Sequence, residues 1–355
     1  MGSLQVQSVA RKLTSIGWLP PRAGHAYTDT ELYFVSGSSG KHKELVLWRT
    51  ENPDFGEGRH GDDKDSDEAA ASLASLVAKT AHDGDVHAVA AAASDIVATA
   101  SSYGTISVYN VSHEYEELSV RESVTAHRFA NDEPAVATAI AVQPSASSDA
   151  EIASCGEDGK VAYAPLGRLD ALQSYEVDST VITGICWPTP SQVAVATRAG
   201  QVKLYDRRAP ADVASVFIDP SQSFAFECIT AHPSQSFRVA TGTDKGAVLV
   251  WDVRNPKKPT TEAFNVHESS VWQVQFHPND VSRIVSCSED ASLAVTEWTP
   301  GSAHRGVRHL SSFFNTLAVN CFDVCPFTRA GLLVAGADSG NLMLETEPAT
   351  EFKMF

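Results

Sequence analysis

The sequence predicts an all-β fold in which seven similar units form one closed ring of sheets. Apolar runs end in proline at nearly constant spacing, with gaps of 44, 45, 45 and 48 residues between Pro144, Pro188, Pro233, Pro278 and Pro326. Proline cannot donate a ladder hydrogen bond, so it marks the end of a strand. Helical patterning is nearly absent, and a period of about 40–45 residues is typical of WD40 blades. We therefore predict a seven-bladed WD40-type β-propeller that spans residues 1–355 as a single domain.

The clearest unit is the segment from Val239 to Arg254. Two runs rich in β-branched and small residues flank the polar turn Thr243-Asp244-Lys245-Gly246, and the second run closes on Trp251-Asp252. Two strands, a tight turn and a terminal Trp-Asp are the signature of one propeller blade. Six further segments repeat this strand–turn–strand pattern: 35–48, 98–109, 154–161, 196–202, 286–293 and 335–342.

The two ends of the chain are predicted to share one blade. The last unit supplies three strands, near 317–323, 332–337 and 342–346, and lacks its outer strand. The N-terminal run from Gln5 to Arg11 precedes the first unit and is a spare strand. We predict that this run pairs with the C-terminal blade and closes the ring, because an open propeller leaves two blade faces unpaired.

The charge of the chain is strongly acidic and uneven. The net charge is −17, and residues 51–68 contain eight carboxylates against Arg59 and Lys64. An acidic chain repels phosphate backbones, which argues against nucleic acid as the primary partner. The acidic segment lies in an insertion at about 51–75, expected to be disordered or to form a short helix within 67–79, whereas Leu76–Thr80 is expected to form the outer strand of the first blade. The insertion is either a solvated loop or a docking motif.

The chain carries no basic-then-apolar leader and no apolar run long enough for a membrane span, so we expect neither secretion nor membrane insertion. The cysteines are scattered through the expected strands at positions 155, 186, 228, 287, 321 and 325. We expect buried, reduced thiols in a cytosolic or nuclear protein.

Recurring His, Ser/Thr, Asp and Trp positions resemble catalytic sets. They recur at the blade period, however, so we interpret them as buried hydrogen-bond networks. The sets are His127, Ser154 and Asp158 in unit three, Thr241 and Trp251 in unit five, and His267, Ser286 and Asp290 in unit six. The adjacent carboxylates Glu157-Asp158 and Glu289-Asp290 are interpreted as turn residues.

No enzyme motif is found. The run Gly37–Lys41 lacks the first glycine and the final Ser/Thr of a phosphate loop, and Cys321 and Cys325 have no matching Cys/His pair for zinc. We expect no catalytic residue, no cofactor, no metal and no small-molecule substrate.

Protein binding is the remaining function, and the narrow end of the central channel is a candidate surface. Counting back six residues from each strand-ending proline, with His87 placed by alignment of Val86, selects Thr14, His87, Thr138, Ile182, Glu227, Trp272 and Asn320. Trp272 is the notable member of this set, because exposed tryptophans anchor interfaces. The alternative is that Trp272 packs against a neighbouring loop.

An ordered set of segments resembles one family of WD-repeat nucleoporins, the one numbered forty-three. The segments are VARKLTSIGWLP (9–20), STVITGICWPTPSQVAVATRAGQVKLYDRR (179–208), AHPSQSFRVATGTDKGAVLVWDVR (231–254), VHESSVWQVQFHP (266–278), SCSEDASL (286–293) and NTLAVNCFDV (315–324). The resemblance covers almost the whole chain and is weakest over 50–80. Lys245 in the turn, Ala291 in place of glycine and Thr296 in place of a third-strand tryptophan depart from the blade pattern.

The resemblance implies a non-enzymatic scaffold subunit of the Y-shaped complex that builds the outer rings of the nuclear pore. It implies localisation to the nuclear envelope, a role in protein and mRNA transport, and additional localisation to kinetochores in mitosis. The implied partner is the helical nucleoporin numbered eighty-five, in the short arm of the complex.

A second interpretation comes from Trp251-Asp252-Val253-Arg254, which is a WDxR box. Such boxes occur in WD-repeat substrate receptors of cullin–RING ubiquitin ligases, and Tyr205-Asp206-Arg207-Arg208 is a degenerate second copy. Arg254 is either a docking residue or a solvated residue at the strand end. A third interpretation is another WD40 adaptor, such as a chromatin or methyltransferase subunit.

Overall fold

The computed structural model describes residues 4–22, 30–54, 73–144, 150–209, 213–218, 223–255, 264–298, 306–312, 317–328 and 331–346. Nearly all of the regular structure in these residues is β-strand, with one 3₁₀ turn at Leu169–Ala171. No helix in this part of the chain has the length and apolar character that crossing a membrane requires.

The first four sheets follow one another along the chain. Blade 1 contains β2 (Lys12–Trp18), β3 (Glu31–Ser39), β4 (Glu44–Glu51) and β5 (Ser75–Ala81), and β1 (Leu4–Ser8) precedes it. Blade 2 contains β6 (Val86–Ala93), β7 (Ile96–Ser101), β8 (Thr105–Val111) and β9 (Leu118–Thr125). Blade 3 contains β10 (Ala137–Val142), β11 (Glu151–Gly156), β12 (Lys160–Pro165) and β13 (Gln173–Glu176). Blade 4 contains β14 (Ile182–Thr189), β15 (Gln192–Thr197), β16 (Val202–Asp206) and β17 (Val213–Phe217).

The last three sheets have the same order of strands. Blade 5 contains β18 (Phe226–Ala231), β19 (Arg238–Thr243), β20 (Ala247–Asp252) and β21 (Phe264–Asn265). Blade 6 contains β22 (Val271–Phe276), β23 (Arg283–Ser288), β24 (Ser292–Glu297) and β25 (Val307–Ser312). Blade 7 contains β26 (Val319–Val324), β27 (Leu332–Ala337) and β28 (Asn341–Thr346). The predicted seven-bladed all-β propeller is confirmed.

The N-terminal strand completes the last blade, as predicted. β1 pairs antiparallel with β28, with Leu4 opposite Glu345 and Ser8 opposite Asn341, so the order across blade 7 is β1-β28-β27-β26. The Val9 N–H extends this pairing by donating to the Gly340 carbonyl at 2.8 Å. The strand begins at Leu4, one residue earlier than predicted. It ends at Ser8, before the predicted Arg11, because the backbone of Ala10 takes the left-handed conformation with φ 54°.

The core lies between the blades. Where blade 1 faces blade 7, Leu13 and Phe34 belong to the same buried cluster as Val334 and Leu344. The other blades pack on their neighbours through similar apolar clusters, so each sheet buries both of its faces. All six cysteines are buried and unpaired, as expected from their positions in the strands.

The predicted outer strand of blade 1 is also present. Leu76–Thr80 lies within β5, which pairs with β4, so the helical composition of 67–79 does not lead to a helix from Ser75 onward. Glu51 at the start of the predicted insertion belongs to β4, and Ala74 is buried. Residues 55–72, with most of the acidic run, lie outside the described residues.

The turn between the second and third strands requires a left-handed residue. Glycine takes this position in blades 2 to 5 and 7 at φ between 70° and 78°, as Gly246 does at 78°, but blade 6 has Ala291 at φ 65°. A residue with a Cβ atom pays about 1–2 kcal/mol in this conformation. We expect Ala291→Gly to raise the free energy of unfolding by about 0.5–1 kcal/mol, after allowance for the greater freedom of glycine in the unfolded chain. Urea unfolding measures this change.

The matched control is the reverse change in the neighbouring blade. A Cβ atom added at Gly246 would lie 2.0 Å from the His267 carbonyl oxygen, so Gly246→Ala should destabilise the protein by more than Ala291→Gly stabilises it. A lower stability of Ala291→Gly than of the parent would contradict the assignment of strain at this turn.

Candidate functional site

Seven innermost strands surround the central channel. They are β2, β6, β10, β14, β18, β22 and β26, and each contacts the innermost strand of the next blade, with β26 contacting β2. An innermost strand pairs within its sheet on one side only, so its other edge faces the channel.

Each innermost strand has a β-bulge close to its start. The residues left out of the regular pairing are Thr14, His87, Thr138, Thr183, Glu227, Trp272 and Asn320. A bulge leaves one residue unpaired and turns its side chain in a new direction. Here all seven residues line one cavity of about 390 Å³ at the mouth of the channel.

The structure brings six of the seven residues selected by counting from the prolines to this cavity, and the exception is in the fourth blade. Ile182, the predicted member, is fully buried between blades, and Thr183 lines the cavity instead. The physical reason is that β14 continues through Pro188 to Thr189, with a second irregularity between Cys186 and Thr189. The proline is therefore five residues from the bulge rather than six.

Thr183 shares one feature with the other six bulge residues, an apolar residue directly before it in the sequence. Every bulge residue directly follows an apolar residue that is at most 1% exposed, and this residue anchors the start of the strand in the core. These anchors are Leu13, Val86, Ala137, Ile182, Phe226, Val271 and Val319. The channel-lining residue is the one after the buried anchor, whatever the distance to the next proline.

The three threonines among the bulge residues each tie their own blade to the next one. The Thr138 hydroxyl donates to the Ile182 carbonyl at 2.6 Å, the Thr183 hydroxyl donates to the Phe226 carbonyl at 2.6 Å, and Thr14 donates to the Val86 carbonyl. Each acceptor is the anchor of the following blade. These bonds satisfy backbone groups on the free edges of the innermost strands, which would otherwise be buried without a partner.

The charges around the cavity are largely paired. Arg198 forms an ion pair with Glu227 at 3.1 Å, and Lys12 forms one with Asp338 at 2.8 Å. Desolvation by the channel wall lowers the pKa of His87 below its usual value, against the attraction of Asp85 and Glu157. His87 is therefore neutral at pH 7.

Trp272 presents the large apolar surface of this cavity. Its side chain is 38% exposed and lies among the lining residues. Most tryptophans in this chain are buried: Trp18, Trp48, Trp187, Trp251 and Trp298 are each at most 5% exposed. Aromatic side chains with exposed faces in concave sites are common anchors for protein partners.

The His, Ser/Thr, Asp and Trp sets are buried networks that link strands within a blade. His127 Nε2 lies 2.8 Å from Ser154 Oγ, and His127 Nδ1 lies 3.0 Å from Asp158. Burial alone would raise the pKa of Asp158, but the hydrogen bond to His127 holds it below the usual value. Trp251 Nε1 donates to Thr241 Oγ1 at 2.9 Å.

The network of blade 6 contains an additional hydroxyl. His267 Nε2 lies 2.8 Å from Ser286 Oγ, and His267 Nδ1 lies 2.7 Å from Ser292 Oγ and 3.3 Å from Asp290. Burial lowers the pKa of His267 to about 4 despite Asp290, so the imidazole is neutral at pH 7. Two further pairs that sequence reasoning missed are His82 with Thr99 at 2.9 Å and Trp48 Nε1 with Ser36 at 2.8 Å.

A polar ladder also joins blades 6, 7 and 1, and it was not predicted. The Asp323 carboxylate on β26 accepts from the Trp18 N–H on β2 at 2.8 Å and from Gln275 Nε2 on β22 at 2.9 Å. Gln273 pairs with both backbone groups of Phe322, at 2.8 and 3.1 Å. These side chains satisfy the free edge of the strand that lies next to the ring closure.

Asp323 should make stability depend on pH. Its burial raises the pKa to about 6, so the folded chain holds this proton more tightly than the unfolded chain does. The resulting stabilisation is fully present below about pH 4 and is lost as the pH rises through about 6. We expect Asp323→Asn to reduce the stability difference between pH 4.5 and pH 7.5 by about 2 kcal/mol. Urea unfolding of both proteins at the two pH values measures it, and an equal difference in the two proteins would contradict it.

Arg254 of the WDxR box is held within its own blade. Its guanidinium donates to both carboxylate oxygens of Asp252, at 2.8 and 2.6 Å, and lies 3.7 Å above the ring of Phe237. Arg208 forms the same type of pair with Asp206. About two thirds of the Arg254 side chain is nevertheless exposed, at 64%.

The described residues contain no group of three or more His, Cys, Asp and Glu side chains that could hold a metal ion. Burial raises the pKa of the Cys155 and Cys228 thiols to about 12, which makes them poor nucleophiles.

Comparisons with known proteins agree with the fold. Residues 146–344, more than half of the chain, match the β-propeller family model described as nucleolar protein 10-like, N-terminal domain. Nucleoporin Nup43 of mouse and of human are each 25% identical to this chain over 296 residues, which is 82% of this chain and 75% of theirs. Methylosome protein WDR77 of Xenopus laevis is 24% identical over 187 residues, which is 52% of this chain and 55% of that protein. The resemblance to WD-repeat nucleoporins that the sequence indicated is confirmed.

Proposed function

This chain belongs to the β-propeller family of the nucleolar protein 10-like N-terminal domain, and from its similarity to Nup43 we propose that it is a non-enzymatic scaffold subunit of the nuclear-pore outer ring. The observation that carries this proposal is the extent of the similarity, which spans 82% of the chain and most of the ring. The chain would act in the Y-shaped complex, bind the helical nucleoporin of its short arm, and contribute to pore assembly and transport.

The physical mechanism is rigid presentation. Seven sheets that bury both faces hold their connecting loops at fixed angles, and the specificity of a propeller lies in those loops and in the channel mouth. Buried, neutral histidines and thiols of raised pKa support a structural role for the polar networks. We propose that partner contacts involve the channel mouth, with Trp272 as the anchor and His87, Glu227 and Asn320 around it.

The docking role of Trp272 can be tested by substitution. Trp272→Ala should weaken binding to the short-arm helical nucleoporin at least ten-fold, because truncation of a buried aromatic anchor costs about 2 kcal/mol or more. Isothermal titration with purified proteins measures the affinity. Phe129→Ala is the control, because Phe129 is an exposed aromatic residue at 40% that does not line the cavity. Undiminished binding by a folded Trp272→Ala protein would remove the channel mouth as the docking surface for this partner.

Localisation provides a cellular test of the proposed function. The fluorescently tagged chain should form a punctate rim at the nuclear envelope in interphase cells. A uniform nuclear or cytosolic signal from a tagged protein that rescues loss of the endogenous one would contradict the proposal.

A further inference from the structure

The cavity at the channel mouth has an unbalanced charge. Two cations border it, Lys12 and Arg198, and each is already in an ion pair with a carboxylate, Asp338 or Glu227. The lining also contains Glu157, for which the described residues provide no ion-pair partner. With His87 neutral, the four charged lining residues Lys12, Arg198, Glu157 and Glu227 together with Asp338, the partner of Lys12 outside the lining, sum to −1.

Several polar groups on the walls of the cavity are already hydrogen-bonded within the protein. The hydroxyls of Thr14, Thr138 and Thr183 already donate to backbone carbonyls of the next blade. Asn320 Nδ2 donates to the Leu13 carbonyl at 3.0 Å and also to Asp338. The groups available to an incoming side chain are therefore the exposed face of Trp272, the carboxylate of Glu157 and the neutral imidazole of His87, which can accept a hydrogen bond from a cationic N–H group.

An aromatic face and an unpaired carboxylate are complementary to one kind of side chain. The negative face of an indole attracts a cation, and a guanidinium can stack on the ring while its N–H groups reach a carboxylate. A neutral or acidic side chain would gain neither interaction. The net charge of −17 on the whole chain would also favour the approach of a basic segment.

We propose that the channel mouth is a binding site for one basic side chain, arginine or lysine, of a partner segment, with its stem against Trp272 and its charge directed to Glu157. This inference deepens the proposed function and rests on it for the biological partner. The site itself is a property of this chain alone. A volume of about 390 Å³ is sufficient for one long side chain together with the water that solvates its charge.

The test uses three small probes and the full chain. The protein is labelled with 5-fluorotryptophan, and the Trp272 resonance is assigned from its absence in Trp272→Phe. The probes are the N-acetyl methylamides of arginine, lysine and citrulline, titrated at constant ionic strength. Citrulline is the neutral counterpart of arginine with nearly the same shape. We expect saturable shifts of the Trp272 resonance, with about ten-fold tighter binding of arginine or lysine than of citrulline.

Two variants separate the charge of Glu157 from acidity in general. Glu157→Gln should weaken the binding of the basic probes about five-fold and leave citrulline unchanged. Glu176→Gln, an exposed carboxylate on β13 of the same blade and outside the cavity, should change nothing. Equal affinities for arginine and citrulline, or equal effects of the two glutamine variants, would overturn the inference. Neither outcome depends on the pore, so failure here is distinguishable from failure to associate with nucleoporins in cells.

Discussion

Deletion of residues 1–9 is expected to lower the free energy of unfolding by about 5 kcal/mol, because it removes the strand that closes the ring. β1 pairs five residues with β28, and each lost backbone hydrogen bond contributes about 1 kcal/mol. The deletion also leaves β28 as an unpaired edge at the seam where blade 7 packs on blade 1. Urea unfolding followed by far-ultraviolet circular dichroism measures the loss.

The deletion could leave too little stability for a measurement, so a pair of proline variants provides a graded test. The Val9 N–H donates to Gly340, and N–H groups alternate in direction along an antiparallel strand. The Gln5 N–H therefore points to β28, opposite Leu344, and the Val6 N–H points outward. Gln5→Pro should cost about 2–3 kcal/mol and clearly more than Val6→Pro. If both proline variants and the deletion lowered the free energy of unfolding by equally small amounts, β1 would not stabilise blade 7.

Substitution of Trp251 by alanine is expected to cost about 4 kcal/mol, the second large effect. Trp251 is fully buried, meets the rings of Phe217 and Phe226 edge to face, and donates to Thr241. The truncation leaves a cavity between blades 4 and 5 and removes the donor to a buried hydroxyl. Trp251→Phe retains most of the apolar contact and loses the hydrogen bond, so it should cost about 1–2 kcal/mol.

The matched control is the exposed tryptophan of the neighbouring blade. Trp272→Ala removes the same side chain from the rim of the cavity and should change stability by less than about 1 kcal/mol. Chemical unfolding of the three variants beside the parent gives the order Trp251→Ala, Trp251→Phe, Trp272→Ala. A cost for Trp251→Ala no larger than that for Trp272→Ala would contradict the assignment of Trp251 to the core.

Much of the propeller could be predicted because each blade repeats the same order of strands and turns, and this order is visible in the sequence. Prolines such as Pro278 follow the end of an inner strand in most blades, and the spare run at the N-terminus matched a blade that lacked its outer strand. The same rule failed in blade 4, since β14 incorporates Pro188. Counting residues back from the proline locates a position relative to the end of the inner strand. The position of the bulge depends instead on the buried apolar residue at the start of that strand.

The polar ladder around Asp323 could not be predicted in the same way. Asp323 lies on blade 7, whereas Gln273 and Gln275 both lie on blade 6. Their hydrogen bonds join groups of two neighbouring sheets, and the local sequence does not specify that pairing. From the local sequence alone, an aspartate within a strand, such as Asp323, is expected to face solvent. Its burial follows from ring closure, which brings the Trp18 N–H to it from the other end of the chain.

Affinity purification of the tagged chain from interphase cells tests the central claim most directly. The proposed scaffold role predicts co-purification of the outer-ring nucleoporins, with the helical subunit of the short arm among them, in amounts comparable to the tagged chain. Recovery of a cullin and its propeller adaptor, with no outer-ring nucleoporin, would contradict the claim and favour the use of the WDxR box at Arg254.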